Sequence, residues 1–318
     1  MIVTTDLAAL VARAQDGPEP SVVSIGMFDG VHLGHRAILE ANQRRADALG
    51  AISTVVTFQS HPKALLLGRA PRTLTTLEHR LALFQRMGIG HAVALPFDEH
   101  LRDLSAQDFT RQVLIEGLAA RAFVLGFDSK FGKDRAGDAD LLRGLGHAVE
   151  IVKKVLVDQR AVSSTAIREA VELGDLASAA RMLGRGVAVY GEVVEGRRLG
   201  RELGFPTANL DLHHELHPPT GVYAGWARVA GPDARLEPGP AIQAVANIGF
   251  KPTVSGERPD LPTMEVHLLD GEHSIYGQHV EFEFVERLRG EVRFESLDAL
   301  KVQIGKDVVH ARTVLARA

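Results

Sequence analysis

Two imidazoles spaced three residues apart, His32 and His35, fall inside the run Gly26-Met27-Phe28-Asp29-Gly30-Val31-His32-Leu33-Gly34-His35. An apolar stretch, 22–25, precedes the run, and a helix-like stretch ending near Gly50 follows it. A strand that opens through glycines into a helix start presents backbone N–H groups that suit phosphate. If the helix has begun by His32, the two rings share a face. A neutral ring donates one hydrogen bond to a phosphate oxygen and an imidazolium adds charge. The pair therefore suits the negative charge that develops during nucleotidyl transfer. Gly34 leaves room for a nucleotide to approach the backbone, and Gly26, Phe28 and Asp29 complete the candidate phosphate site. The spacing is neither Gly-x-Gly-x-x-Gly nor a P-loop, whose Gly-Lys-Ser/Thr ending is absent from the chain. An alternative use of the same residues is a tight turn with the histidines as surface caps.

A second set of phosphate ligands stands at Ser163, Ser164 and Thr165, just before a helix predicted over 166–173 and ended by Gly174. Three hydroxyls gather where backbone N–H groups lack partners. The Glu or Gln of a capping box is missing, since Ala166 follows Ser163 and Arg168 follows Thr165 at that spacing. Arg168 opposes the helix dipole but suits a bound triphosphate.

The third set is Gly200-Arg201-Glu202-Leu203-Gly204-Phe205-Pro206-Thr207-Ala208-Asn209-Leu210. Gly200 and Gly204 free the backbone to wrap a phosphate, and Thr207 and Asn209 offer neutral oxygens two residues apart, suited to Mg²⁺ that arrives with ATP. The same residues could form a rigid turn entering a strand. Downstream, Glu265 and His267 alternate with Met264, Val266 and Leu268, so Glu265 could face solvent, as Glu281 and Glu283 are expected to do; periodicity does not separate the readings. His213, His214 and His217 invite a metal reading, but their surroundings are loop-like and no cysteine joins them. Arg287, Arg289 and Arg293 read as a solvated face.

The elements that must hold these residues differ between the two halves. Through about 184, β-branched runs at 22–25, 52–58, 91–97, 121–127 and 149–155 alternate with helical stretches at 36–49, 77–87, 106–118 and 139–145. This is the pattern of an α/β domain with a Rossmann-like parallel sheet, whose ligands sit at the carboxyl ends of the strands. After Gly184-Arg185-Gly186 the pattern turns to alternation, with strands at 187–194, 222–229, 242–246 and 264–269 and a final helix over 297–315. That half is expected to be a mainly antiparallel β-barrel with a C-terminal helix, giving domains 1–184 and 185–318.

Composition agrees with a soluble globular chain: 318 residues, 45% hydrophobic and 24% charged, are enough for two cores. A net charge of −4 gives no footprint for nucleic acid, and zero cysteines exclude disulfides and thiolate chemistry. No basic leader followed by an apolar core opens the sequence, and no run of about 18 apolar residues occurs. The expectation is a cytoplasmic protein with no membrane partner.

Taken together, 26–35 and 163–168 resemble the adenylyltransferase half of bacterial bifunctional riboflavin kinase/FAD synthetases. The stretches Val56-Thr57-Phe58-Gln59-Ser60-His61-Pro62, Leu74-Thr75-Thr76-Leu77 and Gly126-Phe127-Asp128-Ser129-Lys130-Phe131-Gly132 fall in the family's order. The run 200–210 resembles the riboflavin-kinase signature, and 219–224, 246–253 and 265–270 fit downstream. The resemblance implies phosphorylation of riboflavin to FMN and adenylylation of FMN to FAD, with ATP and Mg²⁺ at each step and FMN and FAD as products. It further implies that His32 and His35 stabilise the ATP phosphates, and that Ser164, Thr165 and Arg168 hold the pyrophosphate. Thr207 and Asn209 would bind Mg²⁺ with ATP, Glu265 would be the catalytic carboxylate, and Phe58 and Asp128 would lie near flavin or nucleotide. Ser129 and Lys130 depart from the family's aromatic and Arg, removing a stacking contact and a forked donor.

Overall fold

The computed structural model describes all residues except 16, 69, 195–203, 213–214, 231–236, 238, 251–261 and 272–274. Gly200, His213 and His214 therefore lie outside the described residues. The chain divides into two compact units, one of Met1–Thr73 with Arg80–Ser164 and one of Leu74–His79 with Thr165–Ala318.

In the first unit, β1 (Ile2–Thr4), β2 (Ser21–Ile25), β3 (Ile52–Phe58), β4 (His91–Leu95), β5 (Ala120–Gly126) and β6 (Ala148–Val152) form one parallel sheet in the order β1-β4-β3-β2-β5-β6. β2, β3 and β4 are buried along nearly their whole length, serines, threonines and His91 included, because both faces are covered. On one face Val23, Ile25, Val93 and Phe123 pack with Leu10 of α1 (Leu7–Gln15) and with Val113 and Leu114 of a π-helical stretch, Phe109–Gly117. On the other, Val22, Ala122 and Val124 pack against Ala41 and Ala46 of α2 (Leu33–Leu49). Gly50, at φ 56, ends α2 in the left-handed conformation. After α2 the chain forms α3 (Lys63–Leu67), α4 (Leu77–Arg86), α5 (Glu99–Asp103), α6 (Ala106–Asp108) and α7 (Ala139–Gly144). The sequence placed an α-helix over 106–118; the structure keeps only α6 as α-helix before the wider π turns begin. It also adds β1 and α1, which the alternation had not revealed.

His91, on β4, is buried and hydrogen-bonded through Nε2 to Thr4 Oγ1 at 2.9 Å. Burial, aided by the charge of Arg13, lowers its pKa to about 4. Unfolded, the ring takes a proton near its ordinary value of about 6.5, so between the two values the unfolded chain binds a proton that the folded chain refuses. Stability is full above that window and falls as pH drops through it, by at most about 1.4 kcal/mol per pH unit for this group. Thermal melts between pH 7.5 and 4.5 should show a steeper decline for the natural protein than for His91→Gln. Parallel curves would remove His91 from the acid response.

β7 (Leu156–Val157) and β8 (Arg160–Ala161) form a short antiparallel pair in the first unit. The second unit holds a closed antiparallel barrel of β9 (Val187–Val194), β10 (Ala208–Asp211), β11 (Gly221–Ala230), β12 (Ala241–Phe250), β13 (Pro262–Leu268) and β14 (His279–Arg289), ordered β10-β13-β12-β11-β14-β9. Gly191 and Gly225 stand where a Cβ would strike the backbone of Asp211 and Glu283, so only glycine lets those strands close. The C-terminal helix α10 (Leu297–Leu315) lays Ala311 and Leu315 on Val222, Ala224 and Val245. Arg289 clamps it, donating through Nε and Nη2 to Asp307 at 3.0 and 2.7 Å. Arg289 is thus a structural anchor rather than part of the solvated face expected for it. Glu281 is a second correction. It is buried: its register partner on β9 is Tyr190, whose ring stacks on His79, and the outward face of β14 beside helix α9 (Leu176–Leu183) is not a solvent face there. Glu283 is partly exposed and accepts from Arg228 Nη1 at 3.1 Å.

Candidate active sites

The first site grows from the carboxyl end of β2. Loop 26–32 is held from within by Arg80, a buried residue of α4 (Leu77–Arg86), which donates through Nη1 to Met27 O (2.6 Å) and through Nη2 to Phe58 O (3.0 Å). Thr57 Oγ1 also donates to Met27 O, at 3.0 Å. Burial pushes the Arg80 guanidinium down to about 10, against the opposing charge of Asp29, so it stays cationic at neutral pH. Phe28 and Val31 sit at φ 51 and 39, a costly region for side chains of this size, and both are buried. Packing holds Phe28 there: its ring meets Phe84 and His35 edge-on, with centroids 5.9 and 5.2 Å apart.

His32 is the N-cap of α2, its Nδ1 accepting from the His35 backbone N–H at 3.3 Å. That bond places the proton of the neutral ring on Nε2. The His32 and His35 rings stack, 3.6 Å between centroids and 16° apart, so the two imidazoles act as one block. A Cβ on Gly34 would lie 3.2 Å from the His32 ring. The absent Cβ lets that imidazole lie close to the Gly34 backbone. Likewise the flank of Gly26 is filled by Phe28, 3.2 Å from where a Cβ would stand. Deeper in α2, Asn42 donates to Val22 O and Ser24 Oγ, both at 2.9 Å, and fixes the helix to β2 two turns below His35.

Helix α8 (Ser164–Glu172) starts two residues earlier than predicted. Ser164 Oγ donates to Asp29 O at 2.9 Å, which joins the hydroxyl cluster to the glycine loop. Ser163 and Ser164 belong to the first unit, Thr165 and Arg168 to the second. Phe58 ends β3 and meets Phe97 edge-on at 5.5 Å, while Asp128 is exposed in the turn after β5. The departures at the next two positions are absorbed locally: Ser129 Oγ accepts from Gly126 N–H at 3.0 Å, and Lys130 Nζ donates to Asp138 at 2.7 Å.

The second site lies on the outer face of the barrel. Glu265 on β13 is register-paired with Asn209 on β10 and Asn247 on β12, so three polar side chains form one row across three strands. Their neighbours Met264 and Val266 point into the barrel and are buried. Thr207 precedes Asn209 on the same side of the strand and Gly204, at φ 86, turns the chain toward it. His267 braces this segment, donating through Nδ1 to Pro206 O at 2.8 Å and meeting Phe205 edge-on at 5.7 Å. His217 is buried and donates to Pro218 O at 2.7 Å, and no group of three or more possible metal ligands occurs among the described residues.

Arg80 was missed from sequence because it sits in a helix whose polar positions give no sign of burial. Asn42 was missed for the same reason.

A parallel sheet with a histidine pair at the head of its crossover helix, followed by a closed barrel with a carboxylate between two asparagines, defines a two-part transferase that acts on phosphates. The family model for FAD synthetase matches residues 14–166 and that for riboflavin kinase matches 183–315. The bifunctional riboflavin kinase/FMN adenylyltransferase of Haemophilus influenzae is 38% identical over 295 residues, covering 91% of this chain and 92% of that protein. The Escherichia coli protein of the same name is 38% identical over 304 residues, 94% of each chain, and that of Bacillus subtilis 35% over 294 residues, 90% of each. A crystal structure described as a macrolide-efflux protein from Streptococcus pneumoniae superposes with a TM-score of 0.79 at 29% identity, covering 98% of this chain and 99% of that one. No helix among the described residues is long and apolar enough to cross a membrane. The chain belongs to the bifunctional riboflavin kinase/FMN adenylyltransferase family, enzymes that make FMN from riboflavin and FAD from FMN.

Proposed function

We propose that 1–184 carries adenylyl transfer and 185–318 the kinase reaction, with ATP as donor in both and the cytoplasm, where ATP is supplied, as the compartment. The observation that carries this division is that the stacked His32–His35 pair and the Asn209–Glu265–Asn247 row belong to different compact units.

In adenylyl transfer, an FMN phosphate oxygen bonds to the α-phosphorus of ATP as the bond to the β-phosphate bridge breaks and pyrophosphate leaves. The nucleophile has no proton to lose, so positioning and charge stabilisation carry the step. His32 Nε2–H and His35 donate to the phosphate oxygens that gain charge. The Gly26, Phe28, Asp29 and Gly34 backbone shapes the phosphate loop, and the Ser163, Ser164, Thr165 and Arg168 segment receives the pyrophosphate. Phe58 and Asp128 lie toward the flavin.

In the kinase reaction the riboflavin 5′-hydroxyl attacks the γ-phosphate, its proton passes to Glu265, and ADP leaves. Gly200 and Gly204 are assigned to binding the ATP phosphates. Thr207 and Asn209 present neutral oxygens beside a single carboxylate, a donor set that fits Mg²⁺ shared with ATP phosphates rather than a tightly held resident ion. When bound, Mg²⁺ neutralises phosphate charge. Glu265, held in register between two asparagines, orients and deprotonates the hydroxyl.

The test is a chromatographic time course of flavins in a mixture of the purified protein with riboflavin, ATP and Mg²⁺. FMN rising first and FAD following is the expected result. FMN that accumulates without FAD would restrict the protein to the kinase reaction and point to Ser129 and Lys130, and absence of conversion would overturn the proposal.

A further inference from the structure

The polar row on the outer face of the barrel does not end at Asn247. Residues two apart on a strand share a face, so the register pair Gly249 and Thr263 lies on the same outer face as Asn247 and Glu265. Thr263 Oγ1 donates to Gly249 O at 3.3 Å and fixes the backbone there. The place that a Cβ of residue 249 would take is filled by a carboxylate: the added atom would strike Glu291 Oε1, and Asn247 Nδ2 borders the same place at 3.4 Å. A glycine at this position of β12 is what admits the acid. Glu291 follows β14, and its segment is held from behind by Arg289. That guanidinium, already bonded to Asp307 of α10, donates through Nη1 to Gly290 O at 2.9 Å and lies 5.8 Å from the centre of the Phe294 ring. One cation thus braces the segment on both sides of Glu291, which is exposed. All of these residues belong to the second unit.

The direction of the reaction says what this second carboxylate meets. Phosphoryl transfer needs the attacking and leaving oxygens roughly in line. With the ATP phosphates at Thr207 and Asn209 on the β10 side and the attacking hydroxyl at Glu265 on β13, the rest of the acceptor extends across the row toward β12. There it reaches Asn247 and Glu291. An ionised carboxylate repels the phosphates of ATP and only accepts hydrogen bonds, so it selects a neutral group rich in donors. In riboflavin that group is the ribityl chain, whose secondary hydroxyls follow directly on the one that is phosphorylated.

We propose that Glu291 is a substrate-binding residue of the kinase reaction, accepting a hydrogen bond from a secondary hydroxyl of the ribityl chain, and that Gly249 is the residue that makes room for it. The inference rests on the assignment of the Asn209–Glu265–Asn247 row to that reaction. Its test is the steady-state kinetics of phosphorylation by the full chain with two acceptors: riboflavin, and a flavin whose side chain is a pentyl group bearing only the terminal hydroxyl. Glu291→Ala, a change at an exposed side chain, should raise KM for riboflavin roughly tenfold with kcat unchanged, the loss of one hydrogen bond to a charged group. KM and kcat for the pentyl flavin should stay at their natural values, which also reports that the variant is folded. Gly249→Ala, which displaces the carboxylate without removing it, should move the two KM values in the same unequal way. An unchanged KM for riboflavin in Glu291→Ala overturns the proposal, and so does an equal rise for both acceptors, which would make Glu291 a structural residue. A natural protein that phosphorylates neither acceptor would instead overturn the assignment of the row, a failure visible before any variant is made.

Discussion

Glu265→Ala is expected to abolish FMN formation from riboflavin while FMN supplied directly is still converted to FAD at the natural rate. The carboxylate stands between Asn209 and Asn247 in the cross-strand row, on the face of β13 that turns away from the barrel interior. A hydroxyl is a poor nucleophile until its proton can leave, and no other carboxylate is register-paired into that row. Glu265→Gln keeps the size and hydrogen-bonding capacity but not the basicity, so the two variants together separate proton transfer from orientation. Chromatography of flavins after each variant meets riboflavin, or FMN, with ATP gives the answer. Retained kinase activity in both would remove Glu265 from the chemistry, and loss of both reactions would contradict independent sites.

His32→Asn should lower the rate of FAD formation by about 100- to 1000-fold, the loss of about 2.7–4 kcal/mol that follows removal of one preorganised donor to a developing charge. Asparagine is chosen over alanine because His32 has two jobs. Its Nδ1 caps α2 through the His35 N–H, and asparagine is among the best residues at that position. The cap is thus preserved while the imidazole and its stack on His35 are lost. The expected pattern is a normal thermal midpoint, a normal kinase rate and a collapsed adenylyl-transfer rate. A full rate of FAD formation would make His32 a capping residue and nothing more.

The parts of the molecule that were legible in sequence are those where one period dominates. β3, β9 and α10 occupy the residues predicted for them, 52–58, 187–194 and 297–315, because each has a consistent pattern bounded by turn residues. β1 was invisible because three residues with two exposed side chains carry no periodicity. The π-helical stretch after Asp108 was invisible because its apolar residues still recur at near-helical spacing. At the candidate sites, local chemistry singled out the histidine pair, the hydroxyls at the start of α8 and the Thr207/Asn209 pair. What it could not announce was support from a distance. Arg80 looks like any polar helix residue until Met27 and Phe58 are brought to it, and Glu215 looks like a loop acid until β9 and α4 enclose it. Glu281 shows the converse error: alternation assigned it to solvent, yet it is buried beside Tyr190, whose ring stacks on His79 from far away in sequence.

The bonds that Glu215 and His279 make to the first turn of α4 impose an order on biosynthesis. Glu78 and its partner His279 are 201 residues apart. At the usual pace of about 5–20 residues per second, a ribosome needs about 10–40 s to make that intervening chain. When Glu78 is made, β4, β5 and β6 have yet to follow; His79 waits 136 residues for Glu215, and Glu78 waits the full interval for His279. The first turn of α4 therefore gains its full set of side-chain partners only after the carboxyl-terminal strands have left the tunnel.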